Sequence, residues 1–243
     1  FSSRRRHTRY GTVTGVQTCA LPILGHFGDP SQDKQKIEES LTPSHYAISL
    51  SGEPTMYPKL PDLIKYLKSL EATKSIFLVT NGQEPEMIQR LADENALPTQ
   101  LYLSTNASDY DSFLKINRPK YDDSWERWNK TLEMLAELDT RTVLRVTLIK
   151  NWNDSDEMIS GFKSIFEKSN AHFIEIKSYM HIGRSTNRLE YENMVEMNDV
   201  RKFAEQIAEK SDRFEVMDES EISRIVVLQN KKRFTERYLT AYA

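Results

Sequence analysis

The feature of this sequence that most constrains its fold is a repeated alternation of short apolar runs with longer amphipathic segments from residue 41 onward. Five runs rich in β-branched and aromatic residues predict strands at 45–52, 75–82, 99–107, 141–150 and 172–183. The segments that follow them have apolar residues at helical spacing, at 60–70, 86–94, 124–138, 156–169 and 199–210. A further short strand is expected at 223–230. Strands that are apolar nearly throughout and alternate with helices indicate an α/β fold, a parallel sheet with helices outside it.

The same pattern favours a single domain. No repeat of 20–50 residues indicates a solenoid, and no low-complexity linker divides the chain. No predicted strand is followed by GxGxxG or GxxxxGK[ST], so nucleotide binding by a glycine-rich phosphate loop has no support. The pattern by itself leaves open whether the sheet is open or closed into a barrel.

The first 24 residues do not share this pattern. Codons for SSRRRHTR (2–9) and VTGVQTCALPI (13–23) resemble a library primer and a common short-read sequencing adaptor. A basic nucleic-acid-binding arm or an Arg-rich targeting peptide is the alternative, but neither explains two such matches in one frame and in order. We therefore expect residues 1–24 to be non-native and disordered, and the natural chain to begin near Gly25 with its own N-terminal portion missing. Cys19, the only cysteine, then has no biological role.

The composition limits the kinds of function that are open to the remainder. The whole chain has 33 Lys and Arg and 36 Asp and Glu, and the first 24 residues hold four arginines and no acid, which leaves a net charge of −7. So acidic a chain is no general binder of nucleic acid, and any such site must be a local basic patch. Beyond Cys19 no thiol is available for a disulfide or an iron–sulfur cluster. No apolar run approaches the roughly 20 residues that span a bilayer, so we expect a soluble protein.

Polar residues gather where each predicted strand ends. They are Ser51, Gly52 and Glu53; Thr80, Asn81 and Gly82; Ser104 and Asn106; Arg145 and Lys150; and Lys177, His181 and Arg184. In parallel β/α folds the carboxyl ends of the strands share one face, and (β/α) barrels build their active sites there. Polar loops that merely end a strand account for any single cluster. Five clusters in succession favour a ligand site.

Six segments carry a resemblance to a known family: ISLSGEPTMYPKL, FLVTNG, TQLYLSTNA, INRP, RTVLRVTLIK and HFIEIKSYMHIG. In this order they resemble the radical S-adenosylmethionine (SAM) family of tRNA 4-demethylwyosine synthases, and most closely its archaeal single-domain members. The likeness runs from about residue 43 to about residue 230. It implies a partial (β/α)6 radical-SAM-type barrel of parallel strands at 25–233, without the first β/α unit and cluster loop, and a C-terminal tail at 234–243.

The resemblance also implies the reaction of the parent enzyme. In that family an electron donor reduces a [4Fe–4S] cluster, and the cluster and SAM together generate a radical on N1-methylguanosine beside the tRNA anticodon. The radical joins a two-carbon unit of pyruvate and closes a third ring. The cluster cysteines and the pyruvate-handling lysine would lie in the missing segment, so no catalytic residue and no metal ligand is assigned here. We expect a cytoplasmic enzyme without a membrane partner, and a fragment that is itself inactive.

The resemblance implies one set of SAM-binding residues: Ser51, Gly52, Glu53, Pro54, Thr80, Asn81, Ser104, Asn106 and Arg145. In the SGEP motif, carbonyls and the Glu53 carboxylate would hold the ammonium group of SAM, while Thr80 and Asn81 would bond its ribose or carboxylate. Asn106 stands where such relatives usually carry Asp, so its contact would be uncharged. The alternatives are a solvated loop acid at Glu53 and a turn cap at Thr80 and Asn81.

The resemblance implies a second set that faces the substrate nucleoside and the tRNA anticodon arm: Arg118, Lys177, Tyr179, His181 and Arg184. Lys and Arg can neutralise phosphates, and Tyr or His can stack on an unpaired base. With Lys120, Lys150 and Arg188 they would form the basic patch that an acidic chain requires. The alternatives are ordinary surface cations and, for Met180 and Tyr179, residues that simply fill the barrel mouth.

Two other functions remain open from the sequence. One is a different radical SAM enzyme that acts on a peptide or a small molecule, and the HIGRS segment at 181–185 is the stretch that discriminates against it. The other is a non-catalytic β/α binding protein.

Overall fold

The computed structural model describes residues 35, 41–49 and 52–238 of the 243-residue chain. Its strands are β1 (His45–Ile48), β2 (Ser75–Thr80), β3 (Gln100–Ser104), β4 (Arg141–Leu148), β5 (Phe173–Ser178), β6 (Phe214–Ser220) and β7 (Ile225–Asn230). Its helices are α1 (Leu60–Ser69), α2 (Pro85–Asp93), α3 (Tyr110–Asn117), α4 (Ser124–Met134), α5 (Asp156–Ser169) and α6 (Met197–Lys210). Short 3-10 turns lie at Pro54–Met56, Gly183–Asn187 and Tyr191–Asn193. The predictions for residues 1–24, Cys19 and Ser51 lie outside the described residues.

The seven strands form one sheet in the order β1-β2-β3-β4-β5-β7-β6. β1 to β5 are parallel neighbours in chain order. The predicted α/β class and the five predicted parallel strands are therefore confirmed. The sheet is open over the described part of the chain, as expected of a partial barrel.

The far edge of the sheet departs from the all-parallel expectation. The strand predicted at 223–230 is β7, and it runs antiparallel to both β5 and β6. The reason is the connection: a four-residue turn at 221–224 joins β6 to β7, which is long enough for a hairpin and too short for a parallel crossover. Neither β6 nor α3 is predicted from the sequence.

The main core lies between the sheet and the helices, all of which cover one face. Alternate strand residues such as Leu101, Leu103 and Ile174 are fully buried there, and each helix contributes apolar side chains to the same cluster. Burial of such a side chain stabilises the fold by about 1.5–3 kcal/mol. The opposite side, termed here the open face, has a smaller apolar group with Tyr102 and Val143 at its centre. Among the described helices none is long and apolar enough to cross a membrane.

Gly82 fixes the path of the chain as it leaves β2. Its φ of +77° is in the left-handed region, and a Cβ at this position would lie 2.6 Å from Leu103 Cδ1 and 3.1 Å from Trp128 Cδ1. The Gly82 carbonyl also accepts a 2.8 Å hydrogen bond from Thr131 Oγ1 on α4. Only glycine fits between the end of the sheet and α4, so the polar residues around it are held in a set position.

Candidate functional site at the carboxyl ends of the strands

The carboxylate of Glu53 ties the segment after β1 to the end of β2. Its Oε1 accepts hydrogen bonds from the Thr55 and Thr80 hydroxyls, each at 2.6 Å, and from the Thr55 amide at 3.2 Å. Its Oε2 accepts from the amide of Asn81 at 2.8 Å. Three of these donors share Oε1 and one binds Oε2, so Glu53 is more than a solvated loop acid. Its expected contact with the ammonium group of SAM stays a prediction, for which Oε2 keeps an acceptor position.

Thr80 and Asn81 form the turn that follows β2. Thr80 is buried, and its hydroxyl donates to Glu53 and accepts the Gly82 amide at 3.0 Å. The side chain of Asn81 accepts the amide of Gln83 at 3.0 Å. This arrangement is the turn-cap alternative, and it corrects the contact with ribose expected of Thr80, because that hydroxyl is inaccessible. Asn81 is exposed and keeps its side-chain NH2 at the surface.

Two asparagines join the ends of β3 and β4. Asn106 Oδ1 accepts the amide of Thr147 at 3.0 Å, and the Asn106 carbonyl accepts from Asn153 Nδ2 at 2.9 Å. Asn153 is fully buried, and its side chain also bonds the Thr147 carbonyl and the Ile149 amide. An aspartate at position 106 could accept the same amide, so the uncharged residue preserves this contact. Sequence reasoning missed Asn153, since nothing local in NWND identifies its partners.

Arg145 lies on the open face, where it has two protein partners. Its guanidinium donates to the Glu175 carboxylate at 2.7 and 3.2 Å and lies 4.2 Å from the centroid of the Tyr102 ring. Both members of the ion pair are largely buried. Burial, together with the nearby Glu175 carboxylate, raises the pKa of Tyr102 above its ordinary value. The expected contact between Arg145 and SAM stays a prediction, and it would compete with this pair.

The segment after β5 begins with the buried Tyr179 and continues with more exposed residues. Tyr179 is 4% exposed, and its hydroxyl lies 3.1 Å from both His181 Nδ1 and Ser185 Oγ. Because its ring is inside the main core, Tyr179 cannot stack on a base in this conformation, which corrects that expectation. His181 is half-buried and makes an edge contact with the ring of Tyr191.

The predicted cations lie on three loops that meet. Arg188 donates to the carbonyls of Lys115 and Ile116 at the end of α3, which joins the segment after β5 to the loop that carries Arg118. The Lys150 amide donates to the Asn193 carbonyl at 2.9 Å, and Asn193 Nδ2 donates to the Lys150 carbonyl at 3.0 Å. These two bonds join the same segment to the loop after β4. Over the described residues none of the ion pairs involves Arg118, Lys120, Lys150, Lys177 or Arg184. Within the same residues no three His, Cys, Asp or Glu side chains come together as metal ligands.

Comparison with known proteins places this arrangement in a family. The family model of the radical SAM superfamily matches residues 22–161, which is more than half of the chain. The chain belongs to the radical SAM superfamily. A second model, described as wyosine base formation, matches residues 168–230, the part that holds β5, α6, β6 and β7.

Individual relatives agree on one name. The S-adenosyl-L-methionine-dependent tRNA 4-demethylwyosine synthase of Pyrococcus horikoshii is 41% identical over 85% of this chain and 59% of its own length. The protein of that name from Methanocaldococcus jannaschii is 42% identical over 87% of this chain and 64% of its own. The chain thus spans about three fifths of the length of these relatives.

Solved structures of the same group are similar in fold. A structure of TYW1 with a lysine–pyruvate adduct bound superposes with a TM-score of 0.78 and 38% identity, over 89% of this chain and 67% of that one. An archaeal TYW1 structure superposes with a TM-score of 0.72 and 36% identity, over 88% and 66%.

The two cofactors of the superfamily fit this chain unequally. A [4Fe–4S] cluster bound through cysteine needs several thiolates, and the chain has one cysteine, so its own residues do not fit the cluster. SAM carries an adenosine, an ammonium and a carboxylate. At the carboxyl ends of β2 and β3, the side chain of Ser104 makes no hydrogen bond to another described residue, and Asn81 is exposed. Such donors and acceptors fit SAM.

Proposed function

We propose that this chain is the SAM-binding and RNA-facing part of a tRNA 4-demethylwyosine synthase. The reaction is the condensation of N1-methylguanosine in tRNA with pyruvate to form a tricyclic wyosine base. The further partners are an electron donor and the anticodon arm of the tRNA, and the place of action is the cytoplasm.

One observation carries the proposal. The radical SAM match at 22–161 and the wyosine base formation match at 168–230 follow each other along one continuous sheet, with β5 as the first strand of the second region. The two halves meet where the β4 and β5 loops are joined by Lys150 and Asn193. A radical SAM enzyme for a peptide or small molecule, or a non-catalytic binding protein, has no reason to carry the second region.

The residues of this chain contribute binding and orientation. SAM, when bound, supplies the radical chemistry, and the protein positions it. Glu53 holds the loop that carries Gly52 and Pro54 against the end of β2, where Asn81 is exposed. Asn106 and Asn153 fix the β3 and β4 ends beside Ser104. The pair of Arg145 and Glu175 holds the Arg145 guanidinium over the Tyr102 ring at the centre of the open face.

Calorimetric titration with SAM tests the binding half of the proposal on the chain as it is. We expect one SAM per chain, and weaker binding when Asn106→Leu removes the link to Thr147. Lys232→Ala is the matched control, because Lys232 pairs with Asp212 beyond the Phe214–Asn230 register pair, at the opposite end of the sheet from the site. Absence of SAM binding by the unsubstituted chain would contradict the proposed cofactor site.

A chimaera tests the reaction itself. We propose to join this chain to the N-terminal portion of the Pyrococcus horikoshii relative and to supply N1-methylguanosine tRNA, pyruvate, SAM and a reductant. The expected product is a tricyclic base detected by mass spectrometry, and it should depend on pyruvate. Production of 5′-deoxyadenosine with no change in the tRNA would favour a different radical SAM substrate.

A further inference from the structure

Tyr191 is the exposed aromatic residue of the segment after β5. Its side chain is 66% exposed, whereas Tyr179, which the sequence favours for base stacking, is 4% exposed. A large aromatic ring at the surface adds little to the fold. An RNA base that is unpaired can stack on such a ring without regard to its identity.

The ring of Tyr191 contacts His181, and the turn that carries it is tied to the loop after β4. His181 meets it edge-on, with the ring centroids 6.3 Å apart and an interplanar angle of 77°. His181 is itself fixed by its 3.1 Å contact with the buried Tyr179 hydroxyl. Two residues further on, Asn193 bonds the Lys150 carbonyl. A ring that is already ordered loses little conformational freedom when a ligand stacks on it.

The charges near Tyr191 favour different positions for the nucleobase and for the phosphates of a bound RNA. Asn193 Oδ1 accepts the Glu190 amide at 2.9 Å, and the carboxylates of Glu190 and Glu192 belong to exposed residues that flank Tyr191 in the chain. These acids repel a phosphate backbone, while Lys150 and the loop of Arg118, which hydrogen bonds join to the same segment, supply cations that enter no ion pair among the described residues. An RNA strand can therefore run over the cations and turn one base toward Tyr191.

We propose that Tyr191 is the stacking platform for an unpaired nucleobase of the bound RNA. The proposal rests on the RNA-binding function inferred above and assigns a residue that the sequence did not. Since stacking involves no ion release, Tyr191 contributes affinity without contributing to the salt dependence of binding.

Filter binding of two RNAs across a salt series tests the proposal. The probes are an anticodon stem–loop, which has unpaired bases, and a fully paired RNA duplex of equal length. We expect Tyr191→Ala to weaken stem–loop binding on the order of tenfold, with an unchanged salt slope and unchanged binding of the duplex. Tyr191→Phe keeps the ring and should bind within about twofold of the original. Tyr66→Ala, at a tyrosine 61% exposed on α1, is the control and should change nothing.

Three outcomes would overturn the inference. Stem–loop affinity could survive Tyr191→Ala, the loss could be equal for the duplex, or Tyr191→Phe could lose as much as Tyr191→Ala. In each case the unsubstituted chain still binds the stem–loop, so the proposed function stands and only the platform is rejected. If the unsubstituted chain binds neither RNA, the RNA-binding function fails and the platform with it. An unchanged thermal unfolding midpoint for Tyr191→Ala excludes a folding defect as the cause.

Discussion

The cationic side chains at the two ends of the parallel sheet differ in their hydrogen bonding. At the amino end, Arg141 donates to the carbonyls of residues 236–238 and Arg233 to those of Leu135, Leu138 and Asn170. At the carboxyl end, Arg118, Lys177 and Arg184 enter none of the ion pairs found among residues 52–238. The arginines of the amino end thus bind protein carbonyls, whereas the side chains of these three carboxyl-end cations make no hydrogen bond to another described residue.

The comparison also separates two kinds of polar residue within the carboxyl end itself. Glu53, Thr80 and Asn106 make hydrogen bonds to other protein groups, as Arg141 and Arg233 do at the amino end. Among the described residues, Arg118, Lys177 and Arg184 differ from these, since their side chains make no such hydrogen bond and enter no ion pair. A polar residue at a strand end is therefore a ligand candidate only when its own hydrogen bonds are not already made inside the protein.

The largest expected effect sharpens this distinction at Glu53. Glu53→Ala removes the acceptor of four donors, two of which are the hydroxyl groups of the buried Thr55 and Thr80. We expect the free energy of unfolding to fall by about 3 kcal/mol, measured by urea denaturation. Glu71→Ala, at an exposed acid beyond α1, is the control and should change it by less than about 0.5 kcal/mol. A loss below about 1 kcal/mol for Glu53→Ala would return its carboxylate to the ligand candidates.

Arg233 tests the amino end with the next largest effect. Its guanidinium satisfies three carbonyls at the ends of α4 and α5, where the helix dipoles favour a cation. Arg233→Ala should lower the free energy of unfolding by about 2 kcal/mol, measured in the same denaturant series. Arg184→Ala, at an exposed cation of the carboxyl end, is the matched comparison and should have almost no effect. Equal losses would erase the contrast between the two ends.

His172 gives the amino end a pH dependence. Burial, and then the charges of Arg233 and Arg141, lower the pKa of its imidazole from 6.5 to about 4. In the unfolded chain the His172 imidazole takes up a proton as the pH falls through about 6.5, whereas in the folded chain it does so only near pH 4. Its contribution to the free energy of unfolding is therefore full above pH 6.5 and is lost as the pH falls towards 4. Because the ring is partly exposed, we expect a loss of only about 1.5 kcal/mol, from thermal unfolding at pH 7 and pH 4.

His172→Asn is the control for this titration. The asparagine can still accept the Thr142 amide, which now donates to His172 Nδ1 at 3.1 Å, but it does not titrate. If the variant keeps the same pH dependence as the unsubstituted chain, carboxylates elsewhere are the cause.

The smallest effect on stability is expected at Lys177. This half-buried cation of the open face enters no ion pair within the described part of the chain, so Lys177→Ala should cost less than about 0.5 kcal/mol. It should instead weaken tRNA binding and lower the slope of log affinity against log salt by about one unit. Lys210→Ala, at the end of α6, serves as the matched control. A stability loss without a change in salt slope would make Lys177 a structural residue like those of the amino end.

Local sequence patterns predicted most elements but few contacts. The periodicity of 156–169 gives α5 with its observed bounds, because its apolar stripe is long and regular. α3 was missed because Tyr, Asp, Ser and Asn are weak helix formers, although the capping box of Asp109 and Ser112 marks its start. β6 was missed because its charged residues alternate with few apolar ones.

The sequence predicted where polar residues gather better than it predicted their contacts, and their role as a ligand site stays a prediction. Polar residues do collect at the carboxyl ends of the strands. Whether each polar side chain already has hydrogen-bond partners in the protein depends on residues far along the chain. Glu53 bonds to Thr80 and Asn81, and Asn153 bonds to Asn106. Such pairings follow from strand register, which a single sequence does not reveal. The burial of Tyr179 and the exposure of Tyr191 likewise depend on how the loop after β5 folds back.

The position of β7 has a consequence for how the chain is made. Because β7 lies between β5 and β6, the edge of β5 stays uncovered until residues 225–230 have been synthesised. β6 emerges earlier but has no neighbour in the sheet until then. Domains begin to fold from the N-terminus during translation, so the ribosome holds a nascent sheet whose bare edge is a template for aggregation. Termination before residue 225 would therefore leave an aggregation-prone protein, and chaperones that shield strand edges should act on this chain until β7 has been made.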